Sequence, residues 1–225
     1  MFRLIVDVAG YIALFAFFLF LPAGTLHWWR AWLLLVLLFI VRIVSTISIA
    51  RVNRGVLIER SKLPIHSGQP LADKILLFSF MASFAGMVAF ASLDVFRFHL
   101  LPAPPMIVSS TGIVLFLWGW WIITVVLRTN AFAATVVRHQ KERRHTVVTT
   151  GIYSIIRHPM YAGLIPVLVG LDLWLESYAA ALVAMVPIGI LVVRIHLEER
   201  FLKRELEGYE AYAAKVRRRL IPGIW

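Results

Sequence analysis

Six long apolar stretches, separated by short polar or basic breaks, organise this chain. They cover residues 4–22, 28–49, 73–94, 106–127, 159–172 and 177–195. Apolar positions within them do not alternate with period two, so the pattern predicts helices rather than strands. The runs at 11–21, 28–40, 75–93 and 107–127 are almost free of charge. About 20 such residues span the hydrocarbon core of a bilayer as a helix. In lipid every backbone N–H and C=O must be paired internally, which a helix achieves. The predicted fold is therefore all-α, a polytopic transmembrane helical bundle.

Two departures from a simple row of spans are legible. The fifth stretch is short and carries Pro166 and Gly170. With a turn at 172–177 and the longer sixth stretch, it predicts a helical hairpin packed inside the bundle, short enough to be re-entrant. After Arg194 the charged residues alternate with Phe201, Leu202 and Leu206. That pattern predicts an amphipathic helix leaving the membrane and ending at Gly208, then a second short basic helix over 209–219, stopped by Pro222. Gly112 and Gly119, on the fourth stretch, are expected where two helices pack closely.

Composition agrees with the pattern. Of 225 residues 60% are hydrophobic, with a mean hydropathy of +0.83, against roughly 45–50% apolar in soluble domains. The absence of cysteine excludes disulfides, thiolate catalysis and Cys-ligated metals. No segment reads as a cleavable leader, since Pro22-Ala23-Gly24-Thr25 is better explained as a turn.

The net charge of +11 follows topology rather than nucleic-acid binding. Turns at 22–24, 101–105 and 172–177 lie on one side; 51–70, 128–157 and the tail after His196 lie on the other. Of 23 Lys and Arg, only Arg30 and Arg97 fall near the first set, and Arg42 lies within a helix. The positive-inside rule then places both termini and the long loops in the cytoplasm. Trp28, Trp29 and Trp32 form an interfacial belt on the opposite side. Arg42, near Ser45, Thr46 and Ser48, is expected to snorkel to the inner face, the alternative being a polar pathway. No repeat is seen, and the chain divides into N-terminal transmembrane helices (1–105) and a core (106–225).

Two polar clusters at the basic face carry the candidate chemistry. The first is Arg157-His158-Pro159-Met160-Tyr161-Ala162-Gly163. Pro159 biases His158 away from helical geometry, which holds the imidazole at a helix entrance beside unpaired backbone N–H groups. The bland alternative is an interfacial His and Tyr in the headgroup layer. The second is Arg194-Ile195-His196-Leu197-Glu198-Glu199, with Arg194 and Glu198 on one face at i, i+4. Its bland alternative is a snorkelling Arg with a surface ion pair. Paired carboxylates at a membrane edge, however, need cationic partners or a cationic ligand to stay ionised. Zinc-type H-E-x-x-H, G-x-S-x-G, P-loop and G-x-G-x-x-G patterns are absent.

The stretch H-T-V-V-T-T-G-I-Y-S-I-I-R-H-P-M-Y-A-G (145–163), with R-I-H-L-E-E-R-F-L (194–202) and E-G-Y-E-A-Y (207–212), resembles the isoprenylcysteine carboxyl methyltransferases. These group with phospholipid methyltransferases in a wider membrane-embedded superfamily. The resemblance spans roughly residues 106–225 and implies an S-adenosyl-L-methionine site on the cytoplasmic side. By position it implies cofactor contacts from Arg138, His145, Thr146, Val147, Val148, Tyr153, His158, Pro159, Met160, Tyr161 and Glu198. It places Arg194 toward the substrate. Arg138 stands where the prenylcysteine enzymes carry a glutamine, and Asn130-Ala131-Phe132 replaces a frequent Leu-Gly-x-Phe.

The implied activity is methyl transfer to a lipophilic acceptor arriving through the bilayer, with membrane lipids as surroundings and no nucleic acid. A carboxylate acceptor needs no base and would be oriented by a guanidinium such as Arg194. An amine acceptor needs a proton removed, for which Glu199 is the candidate. The residues leave the acceptor open. A phospholipid amine methyltransferase, a sterol-reductase-like enzyme and a non-catalytic membrane binding protein are the competing readings.

Overall fold

The computed structural model describes residues 2–61, 69–133 and 145–225, with side chains from residue 8 onward. Its elements are α1 (Phe2–Ala23), α2 (Trp29–Arg60), α3 (Leu71–Leu93) closed by a π turn at Asp94–Phe98, and α4 (Met106–Thr129). Then follow a 3-10 turn at Gly151–Ser154, α5 (Pro159–Trp174), α6 (Tyr178–Val183), α7 (Met185–Glu205) and α8 (Tyr209–Lys215). The chain is an all-α, multi-pass membrane bundle. Four helical spans are long and apolar enough to cross a bilayer: Trp29–Arg60, Leu71–Phe98, Met106–Thr129 and Tyr178–Glu205. Leu14, Phe17, Val36, Ile47, Trp118 and Trp121 point outward, as helices facing lipid on one side and each other on the other require.

The fifth segment is short, as expected. With 16 residues, α5 is about 24 Å long, less than the roughly 30 Å hydrocarbon core. It lies against α4 along an unusually close seam. A Cβ added to Gly112 would fall 2.7 Å from the Gly170 carbonyl oxygen, and one on Gly119 would fall 2.7 Å from Val167 Cγ2. Gly163 and Gly170 face the same seam from α5, so small residues on both helices let the backbones approach.

The turn after α5 is fastened at the face opposite the basic loops. Ser177 Oγ accepts from Ala180 N (2.9 Å) and donates to Asp94 Oδ2 (2.6 Å). Arg30 is buried between the rings of Trp29 and Trp174, donates to the Trp174 carbonyl and pairs with Glu176 at 3.0 Å. These contacts tie the start of α2 to the end of α5.

Four sequence expectations are corrected. Helix α2 continues 11 residues beyond 49, through a stretch read as loop. Its charged residues cost little once outside lipid, while Val56 still packs in the core and Asn53, at a kink, donates to the Leu127 carbonyl. The sixth segment is broken at Ala184 into α6 and α7. The terminal basic helix stops at Lys215, because the Arg218 and Arg219 carbonyls accept from the start of α5 instead of from a further helical turn. Finally, Arg42 does not snorkel. It lies over the Tyr11 ring at 4.8 Å and lines an internal chamber.

Candidate functional site

The site forms at the basic face, where the start of α5 meets α7, α8 and the C-terminal tail. Pro159 occupies the first position of α5, where its missing N–H costs no hydrogen bond. His158 is the cap residue, with φ −120° and ψ 58°. The backbone N–H groups of Arg157 and His158 donate to the carbonyls of Arg218 and Arg219 at 3.0 and 2.9 Å. The tail thus clamps the helix entrance that proline had already shaped.

The two adjacent glutamates have different surroundings. Glu199 is buried and held by three groups: Arg157 Nε donates to Oε1 at 2.7 Å, Arg219 Nε to Oε2 at 3.0 Å, and His158 Nε2 lies 3.2 Å from Oε1. Arg157 also donates to the Val216 carbonyl at 2.7 Å. Glu198 is more exposed and accepts from Tyr161 OH at 2.5 Å, with His158 Nδ1 at 4.0 Å. The His158 and Tyr161 rings stack at 5.7 Å.

Glu198 faces a cavity of about 120 Å³. His145, Thr146, Val147, Val148, Tyr153, His158, Pro159, Met160 and Tyr161 line the same cavity. Ten of the expected cofactor contacts therefore share one wall, although they come from an irregular segment, a 3-10 turn and two helices. Arg138 lies outside the described residues. Residues the sequence reading did not assign complete the wall, notably Asn130, Phe132, Leu202, Leu206, Tyr209 and Tyr212. Tyr209 and Tyr212 belong to the quoted E-G-Y-E-A-Y stretch, which was the available signal.

Several wall groups are fixed in one state. Asn130 Nδ2 donates to Tyr153 OH, and Tyr212 OH donates to the Tyr153 carbonyl at 2.7 Å. Burial raises the phenols of Tyr153 and Tyr209 above their ordinary range and pushes that of Tyr212 up to about 12. All three are neutral at physiological pH. The Tyr209 hydroxyl is buried with no hydrogen-bond partner among the described residues, so the cavity offers a donor that a polar ligand could satisfy. The Phe132 and His145 rings lie 4.4 Å apart, centroid to centroid.

Arg194 and Glu199, expected on the substrate side, are both engaged with protein partners. Neither lines this cavity. Arg194 is buried and its Nε donates to Asp73 Oδ1 at 3.0 Å, joining α7 to α3. Asp73 is in turn held by Gln69 at 2.7 Å. Asp73 and Arg219 are the partners that sequence reasoning missed.

Beyond the cavity lies a larger chamber of about 600 Å³ within the bundle, walled mainly by apolar side chains of α1–α5. Met160 lines both spaces. A polar site at the basic face is thus joined by one side chain to a lipophilic space.

Residues 107–207 match the family model described as phospholipid methyltransferase. The C-terminal half of the chain is thus similar to that family. Protein-S-isoprenylcysteine O-methyltransferase B of Arabidopsis thaliana is 30% identical over 112 residues, which cover 48% of this chain and 57% of that relative. A probable protein-S-isoprenylcysteine O-methyltransferase of Oryza sativa subsp. indica is 32% identical over 112 residues, covering 48% of this chain and 59% of the relative. The subsp. japonica protein of the same description gives the same figures. The chain therefore spans just under three fifths of the length of these curated relatives. The family match contains α4 to α7, the glycine seam, the His158–Tyr161 cluster and Glu198. Helices α1–α3, with Asp73 and most of the chamber's outer wall, lie before it.

Proposed function

We propose that this protein is an integral membrane S-adenosylmethionine-dependent methyltransferase acting on a lipophilic acceptor, by carboxyl O-methylation of an isoprenylcysteine-like substrate. The observation that carries this reading is the juxtaposition of a polar cavity and an apolar chamber at Met160, which lies within the stretch matching the phospholipid methyltransferase family model. On the positive-inside rule the cavity faces the cytoplasm.

The wall chemistry fits the cofactor. Glu198 supplies the carboxylate an ammonium needs, and a charge-assisted contact of this kind is among the stronger hydrogen bonds. The buried Tyr209 hydroxyl supplies a donor for a carboxylate or hydroxyl. The Phe132–His145 ring pair offers a flat surface to an aromatic base. When bound, the cofactor supplies a methyl group on a sulfonium, open to in-line attack.

The residues then divide as follows. Glu198 and Tyr209 bind and orient the cofactor, and Met160 stands between it and the acceptor. An ionised carboxylate is already a nucleophile at neutral pH, so positioning and exclusion of water supply the acceleration. Glu199 holds Arg157, Arg219 and His158 in place, and with three partners it is not disposed to act as a base. Arg194, bound to Asp73, braces α7 against α3. The engagement of Glu199 favours the carboxylate acceptor, which needs no base, over the amine.

Isothermal titration of detergent-purified protein with S-adenosylmethionine or its demethylated product tests the reading. Saturable binding is expected, and a folded protein that does not bind at millimolar cofactor overturns it. Product analysis separates the acceptors: base-labile methyl esters support the carboxyl reading, whereas new mono- or dimethylated ethanolamine lipids replace it with amine methylation.

A further inference from the structure

The internal chamber has an uneven charge balance. Its wall includes the guanidinium groups of Arg42 and Arg60, and among the described residues no Asp or Glu lines it. Among the described residues no carboxylate bonds either arginine. Arg60 Nη1 donates to the Ala133 carbonyl oxygen at 3.3 Å and to Met160 Sδ at 3.8 Å. Arg42 rests on the Tyr11 ring, and its buried Nε has no hydrogen-bond partner among the described residues. Two buried cations in a mainly apolar chamber are costly unless a ligand or partner answers them.

The position of Arg60 is specific. Ala133 and Met160, its two contacts, both line the smaller cavity, while Arg60 itself lines the chamber. Arg60 therefore stands at the throat between the two spaces. Arg42 lies 18 residues earlier on α2, deeper in the same chamber, and adds positive potential without reaching the throat. The chamber volume of about 600 Å³ falls within the range of small-molecule sites, about 300–1,000 Å³.

We propose that the chamber binds a carboxylate-ended amphiphile, with its apolar chain among α1–α5 and its carboxylate received by Arg60 at the throat. A guanidinium fork matches a carboxylate in shape and charge, and among the described residues only Nη1 of Arg60 is engaged by protein acceptors. Arg194, which a guanidinium-for-carboxylate role would otherwise suit, is already bound by Asp73. A cationic lipid head meets only repulsion from both arginines. The carboxylate's role as methyl acceptor rests on the methyltransferase reading above, but its binding does not.

Photolabelling in nanodiscs of zwitterionic lipid tests this without turnover. The probes are a long-chain fatty acid with a diazirine in its chain and the matching primary amide, used at about pH 9 so that the carboxyl is ionised. The carboxylate is expected to label chamber-lining residues more than the amide does. Arg60→Gln should reduce carboxylate labelling by about 10- to 100-fold, the loss expected for a charged hydrogen-bond partner, and leave amide labelling unchanged. Arg60→Lys should restore part of the preference, and Arg42→Gln should cause a smaller loss. Equal labelling by the two probes, or a charge preference that persists in Arg60→Gln, overturns the proposal. Cofactor titration of the same preparations keeps the two readings apart. Probe preference without cofactor binding leaves the chamber assignment standing and removes the methyltransferase; the reverse removes only the chamber assignment. Cofactor binding or an unchanged melt also shows that each variant is folded.

Discussion

Replacing Glu199 or Glu198 with alanine should separate architecture from ligand binding at neighbouring positions. Glu199 is buried, and its removal leaves Arg157 inside the protein without its carboxylate. Breaking a buried pair by deleting one partner typically costs about 3–5 kcal/mol. Arg157 keeps the Val216 and Ala213 carbonyls, and Arg219 is 31% exposed and adds little. The lower end of that range, about 3 kcal/mol, is therefore expected. For a chain of this size about 2–4 °C of melting temperature is lost per kcal/mol, so Glu199→Ala should melt roughly 6–12 °C lower. Glu198→Ala removes a partly exposed carboxylate with one phenol partner and should shift the melt far less. It should weaken cofactor binding by about 10- to 100-fold, because the ammonium loses its charged partner. Thermal melting in one detergent, followed by cofactor titration, measures both effects. If Glu199→Ala melts like the parent, or if Glu198→Ala binds cofactor as tightly as the parent, the division of labour between the two residues is wrong.

Three further outcomes can be checked in the same preparations. Gly112→Ala or Gly170→Ala should destabilise by about 1–3 kcal/mol by overpacking, while Gly189→Ala, whose added Cβ meets nothing within 4 Å, should be neutral or slightly stabilising in the same melt. Tyr209→Phe removes a buried hydroxyl that has no partner among the described residues, so thermal stability should hold while cofactor affinity falls by about 0.5–1.5 kcal/mol. The Tyr212 phenol, raised by burial to about 12, should contribute stability that is complete below the unfolded value near 10 and is lost as pH rises through about 12. Phenolate absorbance followed alongside helicity checks this; a Tyr212-dependent transition near pH 10 with the fold intact would contradict it.

The division between what was legible in the amino acids and what was not follows the range of the forces involved. Lipid offers the backbone no hydrogen-bond partners, so the length and apolarity of a run are enough to specify a helix. That is why the order of apolar segments, the short fifth segment and the hairpin could be read directly. Local stereochemistry was equally readable: Pro159 marks a helix start, and Gly112 and Gly119 mark a close seam. The end of α2 was not, because past residue 49 the helix depends on what Val56 and Asn53 touch in other segments rather than on hydropathy. The polar partners were hidden for the same reason. Arg194 and Glu198 are neighbours by helical spacing, yet Arg194 bonds Asp73, 121 positions away in sequence. Glu199 looks like a spare carboxylate beside Glu198 until the fold brings Arg157 and Arg219 to it. The sequence by itself determined that this is a membrane bundle with a polar site at one face, since each depends on local composition and spacing. Only the tertiary structure decided which charged groups are satisfied and which still face open space, because neutralising a charge inside a membrane depends on contacts a few ångströms long between segments far apart in the chain.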